Sequence, residues 1–190
     1  DPDWMKSEET GCKLVEISKH IDAITCSTDA LTDVIKKIIK HIPVVTIPDR
    51  LNLDYFTVKK QHTETAKSVV WFGYFHKAQQ VLNQVIPSLK KRNLSLYVVS
   101  NNQFFPDNDY GVEVSNINWT PNNAFIDIQS GDFCINPGSP LAEPRFKSNN
   151  KTLISWGLGM PVAETAEDLD RFLDPKERQK ESDLKQVEIK

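Results

Sequence analysis

The run Lys147-Ser148-Asn149-Asn150-Lys151 stands directly before Thr152-Leu-Ile-Ser-Trp-Gly-Leu-Gly-Met160, an almost wholly apolar stretch with the length of a short buried helix. Ser148 is a natural N-cap: its hydroxyl accepts from the start of a helix and leaves the next N–H groups pointing outward. The helix dipole adds partial positive charge at that end, and the two lysines add full charges. These devices together suit a phosphate, and a polyphosphate ester is the ligand they match best. Ser-Asn-Asn ahead of a helix is also ordinary capping, and flanking lysines are often simply solvated, so the motif alone leaves both readings open.

Two other short stretches carry residue types suited to a ligand. In Gly73-Tyr-Phe-His76 a glycine ends an apolar run and a helix follows, so the backbone can approach a ligand closely and offer free N–H groups. Asn118-Trp119-Thr120 ends a second run with an amide and an aromatic plane. His76 can equally be a plain helix-start residue, and Trp119 a core residue. The three stretches gain weight together because all fall at the same edge of one predicted parallel sheet. Ligands of open parallel sheets bind outside the carboxyl ends of the strands.

The elements that would position these residues alternate along the chain. A helix is predicted over 8–20, a short strand over 23–26, and a helix over 29–40 that Ser27 or Thr28 can cap. A strand over 43–48 completes a β-α-β pattern. Residues 49–67 are polar and lack sustained periodicity; they read as a linker with one anchoring element, 53–56. Beyond it the alternation restarts: strands over 68–73, 94–100, 112–119, 132–136 and 160–164, with helices over 76–91, 121–130 and 166–172 and the buried helix after Lys151. A loop over 137–147 carries three prolines. The expected fold is therefore α/β, a Rossmann-like parallel sheet with helices on both faces, preceded by a partial β-α-β segment. The expected domains are 1–50, a linker 51–67, the main domain 68–174, and a charged surface helix over 175–190 with no core of its own.

Composition narrows the partners. Of 190 residues 39% are hydrophobic and 26% charged, the balance of a globular chain. A formal net charge of −3 gives no general attraction to nucleic acid or an anionic membrane. No apolar run approaches the roughly 18 residues of a membrane span. Cys12, Cys26 and Cys134 lie far apart without metal-ligand spacing, so reduced structural thiols and a cytoplasmic location are expected, with no bound metal or cofactor. The chain opens with Asp1 rather than Met, and it reads as a fragment of a longer protein.

In order along the chain, four segments resemble the GT-B glycosyltransferases, in the style of the large retaining group called glycosyl transferases group 1. Asp22-Ala-Ile-Thr-Cys-Ser-Thr-Asp-Ala-Leu31 resembles the last strand and helix of that family's N-terminal domain. Val45-Thr-Ile-Pro-Asp-Arg-Leu-Asn-Leu-Asp-Tyr-Phe56 is similar to its interdomain crossover. Val69-Val-Trp-Phe-Gly73 resembles the first strand and turn of its nucleotide-sugar domain, and Lys147 to Val162 its donor-phosphate helix and following strand. The resemblance implies transfer of a sugar from a nucleotide diphosphate sugar to an unknown acceptor, without a bound metal. It implies that Gly73 and His76 lie near the diphosphate, that Lys147, Ser148, Asn149, Asn150 and Lys151 contact phosphate or ribose, and that Asn118 and Trp119 lie beside the base. It also implies that the chain's partner is an N-terminal domain missing here, so that little or no transfer is expected from the chain by itself.

Departures from the family pattern leave alternatives open. Its retaining members carry two glutamates eight residues apart around the phosphate helix; here those positions hold Phe146 and Ile154, and Glu143 pairs with Lys151 at that spacing. Ser100-Asn101-Asn102 stands where the family usually has Arg and Lys. No catalytic acid or base can be assigned, and retention or inversion stays open. A non-catalytic nucleotide- or phosphosugar-binding module fits the same residues, as does an epimerase-like enzyme on the same scaffold. Gly73-Tyr-Phe-His-Lys-Ala78 does not supply the G-x-G-x-x-G turn of an NAD enzyme.

Overall fold

The computed structural model describes residues 8–138 and 144–189. They divide into two compact units. The first comprises the residues up to Arg50 and the segment that ends at Asn150; the second begins at Leu51 and resumes at Lys151.

In the first unit, helix α1 (Glu8–Ser18) and strand β1 (Ile24–Cys26) are followed by helix α2 (Asp29–Ile38) and strand β2 (Val44–Thr46). Thr28 caps α2 by accepting from the Leu31 N–H at 3.2 Å. The strands pair in parallel, Ile24 beside Val44 and Cys26 beside Thr46, as the β-α-β pattern requires. Cys26, Ile35, Ile39 and Val44 form the small core.

The second unit is built on five parallel strands: β3 (Ser68–Gly73), β4 (Ser95–Ser100), β5 (Val114–Asn118), β6 (Phe133–Ile135) and β7 (Val162–Ala163). Their spatial order is β5-β4-β3-β6-β7. The chain therefore winds outward from β3 through β4 to β5, then returns to the other side of β3 for β6 and β7. Strand alternation in β3 sends Val69 and Trp71 to one face and Val70 to the other. Helices α3 (Phe75–Val81), α4 (Ile86–Lys91) and α7 (Ala166–Arg171) cover the first face; α5 (Ala124–Ile128) and α6 (Asn150–Gly157) cover the second. The chain ends in α8 (Pro175–Glu188). Leu82, Ile86, Leu89 and Leu96 are wholly buried, each contributing roughly 1.5–3 kcal/mol by leaving water. The fold is thus the Rossmann-like parallel sheet with helices on both faces that the alternation predicts.

Several elements differ from expectation for local reasons. The single helix expected over 76–91 is two, because Pro87 lacks the N–H that would continue α3 into α4. Strand β5 starts at Val114 rather than at Val112: the Asn108 and Asp109 side chains turn the chain onto Tyr110 and Gly111, and the Val112 N–H bonds to the Asp109 carbonyl at 2.8 Å. Helix α6 begins at Asn150, so Asn149 rather than Ser148 stands just before its first residue. Helix α8 does bury polar side chains, Arg178 and Ser182. The polar stretch 51–67 is fastened to the second unit: Lys59 Nζ donates to the Gly157 carbonyl and Lys60 Nζ to that of Gln129, both at 2.7 Å. Of the loop over 137–147, Pro140 and Glu143 lie outside the described residues. No helix among the described residues is long and apolar enough to cross a membrane.

Candidate functional site

Strand order reverses between β3 and β6, and at such a point the loops leaving adjacent strands diverge and open a crevice at their carboxyl ends. On that edge the register puts Gly73, Ser100 and Asn118 side by side at the ends of β3, β4 and β5. Trp119 prolongs the row, its N–H donating to the Ser100 carbonyl at 2.8 Å.

A cavity of about 190 Å³ opens here, lined by Phe72, Gly73, Tyr74, Asn101 and Trp119. Tyr74 is 70% exposed and Trp119 47%, so both rings present apolar surface outside the core. The alternative reading of Trp119 as a core residue is thereby removed. Asn101 Oδ1 accepts from the Phe75 N–H at 2.9 Å, which fixes the amide and leaves its nitrogen to donate. That bond also satisfies the first N–H of α3, one of the groups counted above as available to a ligand.

Lys151, in the first turn of α6, brings the positive charge. Its Nζ lies 4.4 Å from the centroid of the Trp71 ring. Gly73 has a φ of 151°, a conformation side chains rarely adopt, and a Cβ built there would fall 2.7 Å from the same Nζ. The ammonium therefore stands over the end of β3, where the strand has no side chain.

Of the residues singled out in the sequence, the structure brings Gly73, Trp119 and Lys151 to this edge of the second unit, with Asn118 exposed at the end of β5. His76 is exposed, stacks on Tyr74 at 6.0 Å between ring centroids, and is not among the residues lining the cavity. Lys147, Ser148, Asn149 and Asn150 are exposed and belong to the first unit. Sequence reasoning missed Trp71, Phe72, Tyr74 and Asn101. Asn101 had a usable signal, its place one residue past an apolar strand on the ligand-binding edge; Trp71 had none beyond being one more apolar residue in β3.

Among the described residues no carboxylate lines the cavity. Cys134, in β6, is no nucleophile: burial pushes its thiol up to about 12, outweighing a Ser155 hydrogen bond and the charge of Lys60. The arrangement offers a planar aromatic surface, an amide donor and a fixed cation, which suits binding an anion that carries a ring.

No protein-family model and no curated protein matches the chain. Solved structures do. The crystal structure of TarM is similar over 96% of this chain and 43% of its own, with a TM-score of 0.60 and 12% identity. The GtfA/B complex is similar over 92% of this chain and 43% of its own, with a TM-score of 0.50 and 9% identity. This chain thus spans less than half the length of either. Both are GT-B glycosyltransferases, and the fold of this chain is GT-B glycosyltransferase-like.

Proposed function

We propose that this chain is the donor-binding part of a glycosyltransferase that moves a sugar from a nucleotide diphosphate sugar to an acceptor. The observation that carries the reading is Lys151 standing over the bare end of β3 beside a cavity walled by Tyr74 and Trp119. In this reading the Trp119 ring receives the base, with Asn118 beside it. The Lys151 ammonium meets the diphosphate near Gly73, and His76 serves the same group from the start of α3. Negative charge grows on the departing diphosphate, and a fixed cation stabilises it without requiring a metal. The nucleotide sugar belongs to a cytoplasmic pool, consistent with the free thiols of Cys26 and Cys134.

One observation favours a second reading, a nucleotide- or phosphosugar-binding module without transfer. Among the described residues no carboxylate lines the cavity, and Ile154, at the position where the family carries its ribose glutamate, packs partly buried against the second core.

Calorimetry of UDP, GDP, ADP, dTDP and their sugars against this chain and Lys151→Ala tests both. One nucleotide diphosphate should bind, at least tenfold more weakly to the variant. Binding of the matching sugar nucleotide with no release of free sugar or transfer, even when the acceptor-side domain is supplied, would select the second reading. A folded chain that binds none of the panel would sink the donor site itself.

A further inference from the structure

Lys151 and Trp71 come from opposite sides of the sheet. Helix α6 packs its Ile154 against the core that contains Val70, whereas Trp71 belongs to the core of the other face. The lysine side chain meets the indole at the end of β3, its Nζ 4.4 Å from the ring centroid. Trp71 is only 1% exposed, so core packing fixes the plane the ammonium rests on. A Cβ on Gly73 would fall 2.7 Å from Lys151 Nζ, 3.1 Å from its Cε and 3.0 Å from the Trp71 ring. The ammonium occupies the space that any other residue at 73 would fill.

A lysine stem has four rotatable carbons, and ordering one such side chain on binding lowers affinity by about two- to tenfold. An indole face attracts the ammonium through its quadrupole without neutralising its charge. We propose that Trp71 is a positioning residue for phosphate recognition. Its buried ring, together with the bare Gly73, holds the Lys151 ammonium at the edge of β3 before ligand arrives. The ordering is then already complete when a diphosphate binds, and the indole sets part of the affinity without touching the ligand. This inference rests on the diphosphate reading of the site.

The test is calorimetry of inorganic pyrophosphate and the nucleotide diphosphate panel against the full chain, Trp71→Phe, Trp71→Leu, Lys151→Ala and the Trp71→Leu/Lys151→Ala double variant. Trp71→Leu should weaken diphosphate binding about three- to tenfold. Trp71→Phe, which keeps a ring face, should recover most of that loss. In the Lys151→Ala background Trp71→Leu should change nothing further, a result that general damage to the core would not give. Competitive acetylation followed by mass spectrometry adds a readout without ligand: Lys151 should become more reactive in Trp71→Leu while the other lysines do not. Should Trp71→Leu fail to fold, Gly73→Ala tests the same placement, with weakened binding expected only where Lys151 is present. Wild-type chain that binds, Lys151→Ala that loses affinity and Trp71→Leu that does not would overturn the inference alone. Wild-type chain that binds no diphosphate would overturn the donor reading and this inference with it.

Discussion

Arg178 donates from Nε to His62 Nδ1 at 3.3 Å, and both side chains are buried. A ring nitrogen that accepts carries no proton, so the hydrogen sits on Nε2, which donates to the Gly159 carbonyl at 2.9 Å. The rest of the guanidinium reaches the carbonyls of Phe172, Leu173 and Glu64. The backbone N–H of His62 donates to Gln179 Oε1 at 3.1 Å. A polar stretch before β3 and a charged helix at the chain's end are thereby joined by the Arg178 guanidinium and one neutral imidazole.

That imidazole makes stability depend on pH in a definite direction. Burial holds His62 below its ordinary 6.5; the charges of Arg178 and Lys60 act the same way, against the Gly159 hydrogen bond and Asp132. The unfolded chain takes the proton more readily than the folded one. The contribution is therefore complete above pH 6.5 and is lost as the pH falls through the lowered folded value. Thermal unfolding should show a Tm that starts to fall near pH 6.5, and His62→Gln should flatten that slope. Asp170, which Arg92 holds below the usual carboxylate range, acts only at more acid pH. An equal slope in the Gln variant would assign the effect elsewhere.

Arg178→Lys should destabilise by about 3 kcal/mol or more, because each buried carbonyl left without a donor costs roughly 1–3 kcal/mol. An ammonium offers its donors from a single point and cannot span the three carbonyls that the guanidinium fork reaches. Urea unfolding gives the magnitude, and amide exchange in α8 shows whether the helix loosens first. A change under about 1 kcal/mol would mean the fork is not what holds α8.

Gly157 lies under the Phe56 ring, where an added Cβ would come 2.6 Å from Cδ1. Phe56 is itself held by stacking on Phe125 at 4.7 Å between centroids. Gly157→Ala should therefore cost about 1–3 kcal/mol by overpacking. Phe56→Leu should relieve part of it, so the double variant should be more stable than the sum of the single losses. Strict additivity in urea unfolding would show that the two positions do not press on each other.

What could be read in the residues and what could not follows from the range of the forces involved. The strand Ser68–Gly73 is legible because a buried parallel strand must be continuously apolar, and Gly73 because a ligand edge favours a residue without a side chain. The break at Pro87 was equally available, and the single helix expected there passed over it. Lys151 stands out in the sequence for its place before an apolar helix, yet its position over Trp71 depends on two helix layers and one strand packing together. No local pattern encodes that meeting. Arg178 shows the same limit: a charged helix predicts a solvated face, and only the carbonyls of distant segments make a buried guanidinium affordable. Asn101 is within reach of the sequence, one residue past an apolar strand, whereas its meeting with Tyr74 follows only once strand order puts the ends of β3 and β4 side by side.

In the proposed donor site, Trp119→Ala should separate base recognition from phosphate recognition. Its ring is half exposed and lines the cavity, and its backbone N–H, bonded to the Ser100 carbonyl, is untouched by a change of side chain. Trp119→Ala should leave stability within about 0.5 kcal/mol of wild type, since little core packing is lost. Stacking of a base on an aromatic ring contributes about 1–3 kcal/mol, so the affinity for the nucleoside diphosphate should fall about 5- to 150-fold. Inorganic pyrophosphate has no ring to stack, and its affinity should not change. Parallel calorimetric titrations of the two ligands decide the point. Equal losses for both would mean that Trp119 supports the phosphate edge rather than a base, and unchanged binding of both would place the base away from this cavity.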